Sequence, residues 1–209
     1  AIKSETINYI NRFHGSTGCV LAEFSNDKKL EGLNLSEISE EFSCSPEEAA
    51  MRLYEISEGS FVLHSMEEQD VDTIGMSDII AVASDGNSLR NTGPLSNGKP
   101  HPRSYGTNTR FIQDMVVNKK KVSISNAIYR MTGLPASRLG LRNRGEIKNG
   151  YFADINIFKP EELKEKATYV DPHQYSTGMK WVLVNGKIAL KDGKKIEGRF
   201  GKVVRSKEG

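Results

Sequence analysis

The amino-acid sequence predicts an α/β fold followed by a small antiparallel β unit, and three features of it carry that prediction. Residues 78–83, Asp-Ile-Ile-Ala-Val-Ala, form an apolar run without alternation, which is typical of a strand buried on both faces of a parallel sheet. Helical spacing of apolar residues occurs on both sides of this run. Beyond Gly145, short apolar stretches are separated by Asn185-Gly186 and Asp192-Gly193, dipeptides that favour tight hairpin turns.

The N-terminal part of the chain predicts helices and strands in alternation. Residues 1–18 predict a helix that ends in a loop, and residues 19–24 predict a strand. Ser45 followed by a first-turn proline and by Glu48 is a capping signature, and it predicts a helix over 46–56. The inward face of that helix is predicted to carry Ala49, Leu53 and Ile56.

A second capping signature predicts a short helix after the apolar stretch 61–64. It starts at Ser65 with Glu68 three residues later, and Val71 and Ile74 are predicted to face inward. Residues 86–105 contain too many glycines, prolines, asparagines and serines for regular structure. We expect a loop there, and a loop of that length tends to be functional.

Two consecutive helices and a β tail are predicted for the remainder. Helical spacing covers 111–116 and, after a cap at Ser123, residues 124–131. Apolar stretches within 153–158 and 181–190 then predict an antiparallel β unit. The composition changes near 142–150, where we place a domain boundary.

Composition excludes several classes of function. The chain has 29 basic and 27 acidic residues, so its net charge of +2 gives no field for nucleic acid or an anionic membrane. No apolar run approaches the ~20 residues that span a bilayer, and no secretory signal is visible. Two cysteines, Cys19 and Cys44, without a Cys-x-x-Cys motif suit a reducing compartment. We therefore expect a cytoplasmic protein with a small-molecule partner.

Asp85 is the first candidate catalytic residue. It directly follows the predicted buried strand and precedes the long polar loop, and α/β barrels present catalytic groups at such strand ends. The alternative is structural, because Asp-Gly is a common turn dipeptide whose aspartate bonds its own backbone. Position alone favours the turn.

Other candidate residues lie in and before the loop. Lys99-Pro-His101-Pro-Arg103 holds an imidazole and a guanidinium on a backbone stiffened by prolines. Guanidinium groups bind carboxylates with two hydrogen bonds, although Arg103 could equally pair with an acid of the protein itself. His64 follows an apolar stretch, so it could stand at the mouth of a site or be a half-buried structural histidine. The four histidines, at 14, 64, 101 and 173, form no known metal motif.

Several motifs together resemble a known family. They are Ser84-Asp85-Gly86, Lys99-Pro-His-Pro-Arg-Ser-Tyr-Gly106, Met131-Thr-Gly-Leu-Pro-Ala, Leu139-Gly-Leu, Arg144-Gly-Glu-Ile-Lys-Asn-Gly-Tyr-Phe-Ala-Asp154, Ala167-Thr and Pro172-His-Gln-Tyr. Their order is similar to that of the N-acyl-D-amino-acid deacylases, or D-aminoacylases, of the metal-dependent amidohydrolase superfamily. The stretch 145–158 is common among amidohydrolases, whereas Ser-Asp-Gly followed by His-Pro-Arg is more particular to D-aminoacylases.

The resemblance implies a fold, a reaction and residue roles. The fold would be the C-terminal part of a (β/α)₈ barrel of the TIM type with strands of a small antiparallel β-sandwich domain. The reaction would be hydrolysis of an N-acyl-D-amino acid to a carboxylate and a free D-amino acid. Asp85 would act as general base on a metal-bound water, and Arg103 would bind the substrate's α-carboxylate. We expect His101 and His64 to be further substrate-binding residues.

The resemblance also implies that this chain lacks part of the catalytic centre. A full barrel takes about 250 residues, and the zinc ligands of the family have no counterpart here. Residues 1–18 would end an insertion, 19–145 would hold the last barrel strands with the active-site loop 86–105, and 146–209 would belong to the β domain. The zinc ligands would lie on a missing N-terminal part, and the partner would be that part or a second copy of the chain.

Two alternatives remain open at this point. The chain could be a non-catalytic C-terminal fragment without a metal site, so that it would be inactive alone. It could instead belong to a cyclic-amide hydrolase of the dihydroorotase or hydantoinase type, which would share the strand-ending aspartate and the β tail. The His-Pro-Arg loop disfavours the second alternative. The stretch 86–98 is longer than in the best-known bacterial D-aminoacylases, so the preferred acyl group and side chain stay open.

Overall fold

The computed structural model describes residues 2–205, which divide into two compact units. The first unit consists of the chain up to Glu68, Gly86–Tyr105 and Ala167–Gln174, and the second of Gln69–Asp85, Gly106–Lys166 and the chain from Tyr175 onward. Residue 1 and residues 206–209 lie outside the described residues, so the ends of the expected segments 1–18 and 146–209 do too. None of the helices in residues 2–205 is long and apolar enough to cross a membrane.

The first unit packs helices on a pair of antiparallel strands. Its helices are α1 (Ile2–Asn11), α2 (Leu35–Glu41) and α3 (Pro46–Ile56), and its strands are β1 (Cys19–Phe24) and β2 (Gly59–Leu63). The register pairs Cys19 with Leu63 and Phe24 with Gly59. Buried apolar side chains from α1, β1, the 3₁₀ turn Lys28–Leu30, α2 and α3 form its core: Ile10, Cys19, Leu21, Phe24, Leu30, Leu35, Ile38, Ala49 and Leu53.

Local sequence signals explain where these helices begin. Asn34 and Glu37 form a full capping box at α2, because each side chain accepts a hydrogen bond from the other residue's backbone N–H. The predicted helix 46–56 is confirmed as α3, with Ala49 and Leu53 buried as expected, but Ile56 is exposed and the Ser45 side chain makes no capping bond. Glu48, the expected partner in that box, instead pairs with Arg52 one turn further on at 2.7 Å.

The helix predicted after Ser65 forms, but it begins later and faces differently. It is α4 (Glu68–Gly75), and both Val71 and Ile74 are exposed rather than inward. The residue of α4 that is buried is Gly75, where an added Cβ would lie 2.9 Å from the Met115 methyl carbon. α4 is therefore buried at Gly75 and not along the predicted apolar pair Val71 and Ile74.

The second unit combines helices with a four-stranded antiparallel sheet. Its helices are α5 (Arg103–Phe111), whose first turn belongs to the first unit, a π-helical continuation (Ile112–Asn118), α6 (Ile124–Met131) and α7 (Gly133–Arg138). Its strands are β3 (Ile155–Phe158), β4 (Met179–Val184), β5 (Lys187–Lys191) and β6 (Lys194–Lys195), in that spatial order. The predicted cap at Ser123 is confirmed, since its hydroxyl accepts from the Asn126 N–H at 3.2 Å.

The predicted β tail is confirmed. Asn185 and Gly186 both have positive φ, 50° and 78°, and they connect β4 to β5 as the primed hairpin turns require. Asp192 and Gly193 do the same between β5 and β6, with φ of 49° and 74°. Two adjacent residues were therefore enough to predict each of these hairpin turns.

The predicted parallel strand at 78–83 is not formed within residues 2–205. This segment has no regular secondary structure, and the described strands pair only in antiparallel fashion. Ile79 is 78% exposed, so the apolar run is not buried on both faces here. A strand requires neighbours for its backbone groups, and in this segment the hydrogen bond to a distant backbone group joins Val82 N–H to the Arg130 carbonyl at 3.0 Å.

Candidate functional site

The loop expected to carry the site is fixed at its start by a close contact. A Cβ added at Gly86 would lie 2.7 Å from the Cα of Ser104, so only glycine allows the two backbones to approach this closely. The Asn87 N–H also donates to the Ser104 hydroxyl at 3.2 Å. The beginning of the loop therefore lies on the first turn of α5.

The loop's far end is fixed to β1. The Lys99 N–H donates to the Ala22 carbonyl at 2.5 Å. Gly98 has φ of +70°, and a Cβ there would lie 2.7 Å from the same carbonyl. A side chain at this position would be both strained and crowded. Both ends of the loop are thus held by backbone contacts.

Arg103 begins a helix rather than lying inside the loop. The prediction of an irregular segment to residue 105 is wrong at its end, because α5 starts at Arg103. The physical reason is a cap that the sequence patterns do not include. The His101 Nδ1 atom accepts the Arg103 backbone N–H at 3.0 Å and so satisfies one of the donors that every helix N-terminus leaves unpaired. Arg103 is exposed at this helix start.

The imidazole of His101 also contacts Tyr169. Its Nε2 atom lies 3.1 Å from the Tyr169 hydroxyl, and the two ring centroids are 5.1 Å apart at 77°. Since Nδ1 accepts from Arg103, the neutral ring carries its proton on Nε2. Nε2–H then donates to the tyrosine oxygen. His101 is therefore oriented from both of its nitrogens.

His64 contacts the same tyrosine. Its ring centroid lies 4.7 Å from that of Tyr169 at 47°, and its backbone N–H donates to the Gly18 carbonyl at 2.9 Å. The structure thus brings the two predicted substrate-binding histidines, His64 and His101, into contact with one aromatic side chain. Tyr169 was missed by the sequence reasoning, although it directly follows the Ala167-Thr motif that carried part of the resemblance.

A second set of hydrogen bonds joins the same segment to the loop. His173 Nε2 lies 2.9 Å from the Gly98 carbonyl, and because a carbonyl only accepts, Nε2 is the donor. His173 Nδ1 lies 2.8 Å from the Tyr105 hydroxyl oxygen, and the Tyr105 O–H donates to the Arg90 carbonyl at 2.8 Å. His173 is far from Gly98 and Tyr105 in the sequence, so the sequence did not indicate these hydrogen bonds.

Asp85 belongs to the second unit and is described within it. It is exposed and has a φ of +46°, a left-handed conformation that aspartate tolerates better than most residues. It ends the irregular segment that includes Ile80 and Val82. The turn conformation matches the structural alternative for Asp-Gly, and the catalytic role stays a prediction.

Arg130 anchors the segment that leads to Asp85. Its side chain is 1% exposed, and its Nε and Nη1 atoms donate to the carbonyls of Ile80 and Gly75 at 2.7 and 2.5 Å. The guanidinium also lies over the Phe111 ring, 5.1 Å from its centroid. Burial lowers the pKa of the Arg130 guanidinium from its ordinary value, and the nearby Asp78 carboxylate opposes that shift.

The described residues do not fit a metal ion. Within residues 2–205 no three His, Cys, Asp or Glu side chains come together in a way that could hold one. A catalytic zinc site needs about three protein ligands. Chemistry that depends on a metal is therefore not assigned to the residues of this chain alone.

Comparisons with known proteins identify similar enzymes. The model of the amidohydrolase family matches residues 93–190. The chain is 34% identical over 156 residues to the N-acyl-D-aspartate deacylase of Alcaligenes xylosoxydans xylosoxydans, which covers 75% of this chain and 29% of that protein. It is 30% identical over 158 residues to the D-aminoacylase of the same organism, covering 76% of this chain and 31% of that protein. The chain thus spans about a third of the length of these relatives.

Solved structures agree with the sequence comparisons. The N-acyl-D-glutamate deacylase from Bordetella bronchiseptica, crystallised with zinc and a phosphonate inhibitor, matches with a TM-score of 0.80 and 29% identity over 93% of this chain and 39% of that one. A D-aminoacylase crystal structure matches with a TM-score of 0.80 over 97% of this chain and 46% of that one, and its 24% identity bears on the fold alone. The similarity of the chain to part of the N-acyl-D-amino-acid deacylases is confirmed.

Proposed function

We propose that this chain, which is similar over three quarters of its length to part of the N-acyl-D-amino-acid deacylases, is the C-terminal portion of a longer metal-dependent hydrolase. The longer protein would cleave N-acyl-D-amino acids to a carboxylate and a free D-amino acid. The observation that carries the proposal is the 34% identity to the N-acyl-D-aspartate deacylase over 156 residues. The cytoplasmic location stays a prediction.

We assign carboxylate binding to Arg103. Its backbone stands at the first residue of α5, where the helix dipole favours an anion. A guanidinium there can offer two parallel hydrogen bonds to a substrate carboxylate. His101 fixes the backbone at this point, and His64 lies beside the same tyrosine, so both histidines are assigned to the substrate-binding region.

We assign the proton-transfer role to Asp85. Its support is its position: it is exposed at the end of an irregular segment that Arg130 anchors through the Ile80 carbonyl and the Val82 N–H. An anchored carboxylate can be presented to a reacting group with little loss of orientation. Substitution by asparagine keeps the size and the turn preference and removes the proton-accepting group.

Zinc ligands are assigned to parts of the longer protein outside this chain. The support is twofold. Residues 2–205 contain no metal-binding cluster, and the zinc-containing deacylase structure is matched over only 39% of its length. The exposed apolar segment 78–83 fits the same proposal, since a barrel strand is buried by neighbours. Those neighbours would come from the rest of the protein or from a second copy of the chain.

The test uses the protein expressed from its complete reading frame. We expect hydrolysis of N-acetyl-D-aspartate, N-acetyl-D-glutamate or N-acetyl-D-methionine, with little hydrolysis of the L-isomers. Asp85→Asn should remove most turnover with little change in binding, and Arg103→Ala should mainly raise KM. Asp192→Asn and Arg138→Ala, at an exposed turn and an exposed helix end, are matched controls. Equal and mild effects of all four substitutions would reject both roles.

The isolated chain separates the fragment alternative from a complete enzyme. A fragment without its metal ligands should bind no stoichiometric zinc and should hydrolyse none of the three substrates. Metal analysis and the same assay on the 209 residues measure both. Stoichiometric zinc together with turnover would show that the chain is catalytic by itself.

A further inference from the structure

We propose that Tyr169 is a positioning residue that acts through His101 to fix the backbone at Arg103. The inference rests on the proposed function only in making Arg103 the carboxylate-binding group. The connection itself is read from three consecutive contacts within the first unit. They join the Tyr169 ring to His64, the Tyr169 hydroxyl to His101, and His101 to the first amide of α5.

The first step is the hydrogen bond between the tyrosine and the imidazole. Tyr169 Oη lies 3.1 Å from His101 Nε2, and the Tyr169 side chain is 38% exposed. A hydroxyl that exposed could bond to water instead, so this bond is not required to satisfy a buried group. Its effect is therefore on the direction of the His101 ring.

The second step is the cap on α5. The Arg103 N–H can reach His101 Nδ1 at 3.0 Å only while the ring keeps its present rotation. A ring held at Nε2 by Tyr169 keeps Nδ1 aimed at that amide. Because Arg103 is the first residue of α5, the cap sets where its side chain leaves the backbone.

The third step is the fixation of Tyr169 itself. The Asp171 N–H donates to the Thr168 hydroxyl at 2.9 Å, and the Thr168 N–H donates to the Asp171 carbonyl at 3.1 Å, which closes the turn that carries Tyr169. The Lys99 ammonium donates to the Val170 carbonyl at 2.8 Å. A tyrosine on an anchored turn can orient His101, whereas one on a loose segment would follow it.

Amide hydrogen exchange on the 209-residue chain tests the connection without any assay of activity. Tyr169→Phe keeps both ring contacts and removes only the hydroxyl. A hydrogen bond contributes about 1 kcal/mol net, so the Arg103 amide should exchange about fivefold faster. Tyr54→Phe is the matched control, because Tyr54 is 87% exposed on α3. An Arg103 amide that exchanges equally in both variants overturns the proposal.

A second variant keeps the test valid if the Tyr169→Phe substitution disturbs folding. His101→Asn places an amide oxygen near the position of Nδ1 and removes the atom that meets Tyr169. The Arg103 amide should then keep part of its protection, and adding Tyr169→Phe should change it no further. Additive effects of the two substitutions would mean that Tyr169 does not act through His101.

Kinetics on the complete protein connect the positioning to binding. Tyr169→Phe should raise KM for an N-acyl-D-amino acid about fivefold and leave kcat within about twofold. In an Arg103→Ala background, Tyr169→Phe should leave KM unchanged. An unchanged KM, in a protein whose KM does rise with Arg103→Ala, overturns the proposal. If the wild-type protein hydrolyses no such substrate, the proposed function fails, and the exchange measurement still decides whether Tyr169 positions the backbone at Arg103.

Discussion

Two apolar runs in this molecule have similar composition and different structures. Cys19–Phe24 forms β1, pairs with β2 along its length and buries Leu21 completely, with 0% exposure. Residues 78–83 form no strand, and Ile79 is 78% exposed. The two runs differ in what lies beside them. The first has a strand within the same unit. The second has, among the described residues, one backbone hydrogen bond to a distant residue, from the Val82 N–H to the Arg130 carbonyl.

The difference between the two runs shows that an apolar sequence favours side-chain burial but does not by itself produce a strand. Apolar side chains favour burial against any other part of the protein. The backbone N–H and C=O groups, in contrast, need hydrogen-bonding partners at the spacing of a neighbouring strand. For 78–83 that partner is not among residues 2–205, and a buried arginine holds the backbone instead. This is the arrangement expected of a segment whose sheet is completed by other polypeptide.

We expect the largest change in the free energy of unfolding from removing the Arg130 side chain. Arg130→Ala deletes hydrogen bonds to the Ile80 and Gly75 carbonyls and leaves a cavity beside Phe111. We expect a loss of about 3–5 kcal/mol in the free energy of unfolding, because two hydrogen bonds from a charged group to backbone carbonyls, the one to Gly75 buried, are lost together with packing. Urea denaturation followed by circular dichroism measures it.

The control for this substitution is Arg138→Ala at the exposed C-terminal end of α7. It should change the free energy of unfolding by no more than about 0.5 kcal/mol. If both arginine variants unfold at the same urea concentration, Arg130 does not anchor the segment 78–83, and the comparison with β1 loses its physical basis.

Alanine substitutions in the two apolar runs should cost different amounts of stability, and this difference is the second largest effect that we expect. Leu21→Ala in β1 removes a fully buried side chain and should cost about 2–4 kcal/mol. Ile79→Ala removes a side chain that already lies mostly in water and should cost less than about 0.5 kcal/mol. The same urea titration measures both. A cost at Ile79 equal to that at Leu21 would show that 78–83 is buried in solution.

The smallest effect concerns the surface ion pairs of α4. Asp72 bonds to the Lys119 and Lys121 ammonium groups at 2.6 and 2.8 Å, and these bonds lower the pKa of its carboxyl. A lowered pKa in the folded protein stabilises it above the unfolded value of ~3.9, and that contribution is lost as pH falls through the lowered pKa.

The stability difference between wild type and Asp72→Asn should therefore be present near neutral pH and vanish in acid. Urea midpoints of the two proteins across the acidic range measure it. Salt near ~1 M should reduce the difference at neutral pH, because exposed pairs are screened. A difference that grows as the pH falls would contradict the assignment of the pKa shift to the two lysines.

Local sequence signals predicted the elements that depend on neighbouring residues. The strand at 19–24, the helix at 46–56, the Ser123 cap and the hairpins at Asn185 and Asp192 are all confirmed. The helix, the cap and the hairpins are fixed by residues close together in sequence, whereas the strand at 19–24 also needs β2 beside it. The 78–83 run could not be predicted in the same way, because its structure depends on strands elsewhere in a protein.

The candidate site was predicted in part for the same reason. Motifs pointed to Asp85, His101, Arg103 and His64, and the structure brings His64 and His101 to one ring. They did not point to Tyr169, because its role depends on a contact between residues far apart in sequence. The imidazole cap at Arg103 was also missed, because capping patterns describe short polar side chains rather than histidine.

Amide hydrogen exchange of the isolated chain, compared between 19–24 and 78–83, tests the account most directly. The hydrogen-bonded amides of β1 should be protected at least ~100-fold more than those of Ile79, Ala81 and Ala83, with Val82 intermediate because its amide bonds to Arg130. Equal protection of the two runs would mean that 78–83 already has a strand partner in this chain. The proposal that other polypeptide completes its sheet would then be wrong.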